Sequence, residues 1–218
     1  MNSTGNLTTT TQSEILDLLF SKGLTSGGSF ALWRKPKSNK LEFLLDNQAN
    51  PERVSLNFEE LPAGFLVHPF ADQEDKKAFF IRSSQYWSTL LDQEIEPEDL
   101  PEWLRESLEK KPEYDRTQIS QLVRQKSDLP LPANVAENEK EHFIRLVQHG
   151  IEAIASGILE KVVPARTKMI QLSEGFDLVT AFVKMLRSYP NSFVNFFHIP
   201  QVGTWLGASP EILIETKG

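Results

Sequence analysis

Ser192-Phe193-Val194-Asn195-Phe196-Phe197-His198-Ile199 is the most strongly β-forming run in the chain. Pro200-Gln201-Val202-Gly203 then turns it into a second strand, Thr204-Trp205-Leu206-Gly207-Ala208, which leads to Ser209-Pro210-Glu211. Ile212-Leu213-Ile214 reads as one further strand. Immediately upstream, Asp177 opens an amphipathic helix carrying Leu178, Phe182, Met185 and Leu186 on one stripe, and Tyr189-Pro190 ends it. Ser173-Glu174-Gly175 is a turn, and before it Leu159 to Ile170, containing Glu160-Lys161-Val162-Val163-Pro164-Ala165-Arg166, reads as a strand. A helical pattern precedes that from Glu137, with Phe143, Val147, Ile151, Ile154 and Ile158 in phase and Gly157 as its stop.

Further toward the N-terminus, residues 93 to 132 hold Pro97, Pro101, Pro112, Pro130 and Pro132 among many charges. They read as an exposed connector, with one short helix around Pro101 to Lys110. Ser29 to Arg34 and Leu41 to Asp46 flank the polar turn Lys35 to Lys40 and form a hairpin, while Gly64 to Phe70 and Lys77 to Arg82 are two more strands. A helix starts with Ser13 as its N-cap and stops at Gly23. The order predicts an α+β fold of largely antiparallel sheets with outer helices. The expected organisation is a disordered N-terminus at 1–12, a strand-rich region with its Pro-rich connector at 13–132, and a second region at 133–218.

Composition narrows the function. The chain of 218 residues carries 23 Lys and Arg against 30 Asp and Glu, a formal charge of -7, with no dense basic run, so nucleic acid is not expected as a partner. No cysteine is present, which removes disulfides and thiolate metal sites and fits a reducing, cytoplasmic setting. The first twenty residues lack a secretory pattern and no stretch has the length of a membrane span, so no membrane association is expected. Gly27-Gly28 and Gly207 lack a phosphate-loop context, and His68, His142, His149 and His198 show no ligand spacing.

Two ionisable residues stand out because each sits in an apolar run: Lys161 and Glu211. Taken alone, the commoner reading of each is structural, a lysine snorkelling from a strand end and a glutamate after a Ser-Pro turn. Arg166, on the opposite face of an ideal strand from Lys161, reads as a structural salt-bridge partner. The Phe193, Phe196 and Phe197 cluster is packing material.

The ordered set of helix, Gly157, Glu160-Lys161-Val162-Val163-Pro164-Ala165-Arg166, helix, apolar strand, turn and Leu206-Gly207-Ala208-Ser209-Pro210-Glu211 resembles the chorismate-utilising enzymes, and within them the isochorismate synthases. The resemblance is strong from Glu137 to Glu211 and general before it. It implies an anthranilate synthase component I-like fold, of which this chain holds the N-terminal portion and the truncated start of the catalytic domain. It implies chorismate as substrate, Lys161 as general base and Glu211 as general acid, at the interval that separates them here. Lys161 also discriminates, because the anthranilate and aminodeoxychorismate synthases carry Gln at that position. Ammonia attacks without first losing a proton, whereas water needs a base beside it. Such a lysine serves only where burial or a nearby cation lowers its pKa from about 10.4.

Magnesium is the implied cofactor, with its ligands expected downstream of the Glu211 strand, so no residue of this chain is assigned to it. Pro164 stands where the related strands more often have Leu, which implies an edge or a bulge. The product is expected to feed menaquinone or siderophore synthesis. Salicylate, anthranilate or aminodeoxychorismate synthase is the alternative chemistry, and a non-catalytic truncated fragment the alternative of a different class. The 218-residue chain is expected to be inactive alone and to self-associate through sheet edges and apolar surface.

Overall fold

A computed structural model describes residues 11–69, 77–109, 115–126, 139–166, 168 and 170–210. The chain divides into two units, one of residues 1–128 with 175–218 and the other of residues 129–174.

In the first unit, β1 (Ser29–Arg34) is buried at every position, because it lies inside a sheet covered on both faces. It pairs antiparallel with β2 (Lys40–Asp46) on one side and with β7 (Phe193–Ile199) on the other. β6 (Gln85–Leu90) extends the sheet beyond β2, and β8 (Gly203–Ser209) extends it beyond β7, giving the order β6-β2-β1-β7-β8. The β7–β8 turn has Pro200 preset at its second position and Gln201 at φ 69, closed by the Val202 amide donating to the Ile199 carbonyl at 3.0 Å. A second antiparallel sheet has the order β3-β5-β4, from β3 (Glu52–Ser55), β4 (Gly64–Val67) and β5 (Lys77–Arg82).

Side-chain alternation sends Phe30, Leu32, Leu41, Phe43, Leu45, Val194 and Phe196 to one face of the five-stranded sheet. There they meet α1 (Gln12–Thr25), α2 (Glu102–Glu109), α3 (Arg116–Lys126) and α5 (Leu178–Ser188). Phe20 packs edge-on to Phe196 at 4.7 Å and to Phe182 at 5.7 Å between ring centroids. Ala31, Trp33, Leu44 and Ile199 face the other way and pack with Ile81, Phe65, Val67 and Phe79 of the three-stranded sheet. The expected α+β architecture of antiparallel sheets with outer helices is what the chain adopts, as helices, five-stranded sheet and three-stranded sheet in layers.

Several local expectations change. The N-cap of α1 is Thr11 rather than Ser13, in a capping box where the Thr11 hydroxyl accepts from the Glu14 amide and Glu14 accepts from the Thr11 amide at 2.8 Å. Ser13 instead accepts from Arg116, whose guanidinium also reaches Asp17 at 2.7 Å and Asp177 at 3.6 Å and so ties α1, α3 and α5 together. Burial pushes the Asp17 carboxyl above its ordinary value despite Arg116. At Asp177, the N-cap of α5, burial acts the same way but is outweighed by hydrogen bonds from Thr180 and by Arg116, leaving its carboxyl below the ordinary value.

The connector expected at 93–132 is in part core: Ile95, Leu100, Leu104 and Ile119 are buried, the last on a helix that the Pro-rich reading overlooked. β3 and β6 were likewise not expected. The chain from 175 onward returns to the sheet of β1, so the unit that holds β1 draws on residues from both sides of 132/133. Residues 1–10, within the expected disordered N-terminus, and the expected strand Ile212 to Ile214 lie outside the described residues.

The second unit is built on α4 (Glu139–Ala155). Gly157, at φ 76, ends it as read from the sequence. The Gly157 amide donates to the Ile154 carbonyl and the Ile158 amide to that of Ala153, both at 3.0 Å, a Schellman closure that needs the left-handed residue. The strand expected over Leu159 to Ile170 does not form among the described residues. Its backbone joins neither sheet, and without a ladder partner a β-prone run stays irregular; Pro164 also lacks the amide a ladder would use.

Candidate active site

Lys161 lies on the irregular segment 159–166 of the second unit, and its side chain is exposed. The segment runs beside α4, and between them is an apolar groove of about 520 Å³ lined by Leu146, Gly150, Ile154, Leu159, Val162 and Val163 among others. Lys161 is not part of that lining, although Leu159 before it and Val162 after it are. His149 is the one ionisable side chain in the groove, which therefore suits apolar groups rather than a dicarboxylate. Much of the apolar surface remains in water: Ile151 is 62% exposed, Ile158 76% and Val163 77%.

Arg166 does not take the salt bridge expected of it; its guanidinium carbon sits 5.6 Å from the centre of the Phe143 ring, a cation–π contact. One helix turn short of the groove's far end, Gly150 brings the segment close: a Cβ built on it would lie 2.8 Å from Val162 Cγ1. Sequence reading passed over Phe143 and Gly150 as a site, treating the first as one of a helical stripe. The legible signal was a glycine inside a strongly periodic helix, which costs helix stability and so asks for a packing reason.

The strand that leads to Glu211 belongs to the first unit. In β8, Leu206 and Ala208 turn toward the helical core, Gly207 lies opposite Asn195, and Trp205 stacks on Phe197 with centroids 6.2 Å apart while half exposed. Glu211 itself lies outside the described residues. Of the two residues read as base and acid, Lys161 alone is therefore among the described residues.

His198 is buried, with Nδ1 2.9 Å from Thr204 Oγ1, and His68, His142 and His149 are exposed. Among the described residues no three His, Asp or Glu side chains converge as a cation site, so none of them is assigned to magnesium. No helix among them is long and apolar enough to cross a membrane.

The family model for chorismate binding enzymes matches residues 77–218, from β5 through both motif segments. No curated protein and no solved structure matches the chain. With more than half of its length covered, including the segments of Lys161 and Glu211, the chain belongs to the family of chorismate binding enzymes.

Proposed function

We propose that the protein is an isochorismate synthase. The observation that carries this reading is Lys161, a lysine at the position where the ammonia-using relatives carry Gln, in a chain of the chorismate binding family. In the proposed reaction Lys161 takes a proton from water as its oxygen bonds to C2 of chorismate. The ring double bonds shift, and Glu211 gives a proton to the C4 hydroxyl as that bond breaks. One water enters and one leaves, so the net change is an isomerisation.

A general base in this role has to lie out of bulk water. Lys161 is exposed with the segment 159–166 uncovered, so the proposal requires that this segment be covered in the catalytic state. Magnesium dependence and use of the product in menaquinone or siderophore synthesis belong to the same proposal. No described residue is assigned to the metal, and no step above runs through it.

The test is to incubate the protein with chorismate and magnesium and resolve the products by chromatography. Isochorismate without pyruvate is expected, and Lys161→Ala is expected to lower turnover by about 100-fold or more while leaving the urea midpoint unchanged, as its side chain is in solvent. Pyruvate release would favour a salicylate or anthranilate type of reaction instead. Undiminished turnover by Lys161→Ala would remove the base assignment.

A further inference from the structure

We propose that Gly150 and Phe143 of α4 are positioning residues that set the register of the Lys161 segment. The inference rests on the reading of Lys161 as the base, and it arises from two contacts between the same two pieces of chain. Val162 Cγ1 occupies the space where a Gly150 side chain would begin, 2.8 Å from the Cβ position, and the Arg166 guanidinium lies over Phe143 at 5.6 Å. From Phe143 to Gly150 the helix advances two turns, about 10 Å. From Val162 to Arg166 an extended chain advances about 13 Å. The spans match to within a residue when the segment runs antiparallel to the helix, so both contacts form in one register.

That register decides which side chain meets the groove. Leu159, Val162, Val163, Pro164 and Ala165 line it and Lys161 does not. A slip of one residue would put Lys161 or Val163 at the Gly150 contact in place of Val162. Gly150 is the one glycine of α4, and it sits at a position where alanine would make a better helix by about 1 kcal/mol. The missing methyl group is what lets Val162 seat against the helix, and the seat of Val162 fixes the residue next to it.

The native chain has no cysteine, so paired substitutions report on register without interference. In the 218-residue chain, Gly150→Cys with Val162→Cys is expected to oxidise to a disulfide at least tenfold faster than Gly150→Cys with Lys161→Cys or with Val163→Cys. Equal rates for the three pairs, or a faster one for either control, would overturn the register. This readout needs no activity and stands even if the protein does not isomerise chorismate.

In turnover assays, Gly150→Ala is expected to lower kcat by up to about 100-fold with KM changed far less, although helix stability should if anything rise. Adding Val162→Ala, which clears the contact, should restore much of the loss. A Gly150→Ala protein with full kcat, or a loss that Val162→Ala does not repair, would reduce Gly150 to a packing residue. Absence of isochorismate from the unsubstituted protein would instead remove the reading of Lys161 and leave the trapping result to decide the register.

Discussion

Single residues carry loads that their sequence neighbourhoods conceal. Arg34 ends a buried strand and is only 3% exposed, yet no carboxylate meets it among its described hydrogen bonds. Its guanidinium donates to the carbonyls of Ser38, Tyr189, Pro190 and Ser192, the Pro190 bond at 2.7 Å, and so ties the end of β1 to the α5–β7 junction. Arg34→Met removes the cation and strands several acceptors, the buried Ser192 carbonyl among them, and it is expected to cost about 3 kcal/mol. A urea denaturation series reads this directly; a loss under about 1 kcal/mol would mean that solvent reaches those carbonyls. Nothing in Ser29 to Arg34 distinguishes this arginine from one whose head lies in water. Lys161 is the opposite case, legible as a candidate from its motif while its surroundings were not.

At the scale of elements, periodicity served best where one face of an element is buried. The hairpin of β1 and β2, the strands β5, β7 and β8, and helices α1, α4 and α5 all appear within a few residues of their expected bounds. The misses share a cause. β3 is four residues long with two charges, β6 alternates weakly, and α3 is flanked by charge and proline, so local pattern was too short or too polar to be seen. Tertiary burial decides α3: Ile119 is fully buried beside α1 and α5. Ile119→Ala is accordingly expected to destabilise the fold by about 2 to 5 kcal/mol, where a true connector would lose less than about 0.5 kcal/mol. Thermal or urea unfolding separates the two. The segment after α4 failed as a strand for the converse reason, having β-prone residues and no partner among the described strands.

For the molecule as a whole, the exposed surface is itself informative. Among the described strands β8 is an edge strand, with no charge or proline between Gly203 and Ser209, and the second unit leaves Ile151, Ile158, Val163 and Ile170 largely in water. Concentration-dependent self-association is expected from these features, read by light scattering across a dilution series. Val163→Lys or Trp205→Lys should weaken it, and a monomer at every concentration would overturn the expectation. The sequence by itself determined the α+β class, the antiparallel hairpins and the family motifs, because period-2 and period-3.6 patterns and motif order are local properties. The tertiary structure alone decided that the chain from residue 175 returns to the sheet of β1, that α3 is core and that the Lys161 segment lies on α4 at Gly150. Those outcomes depend on contacts between residues distant in sequence, where burial and the presence or absence of a ladder partner override local propensity.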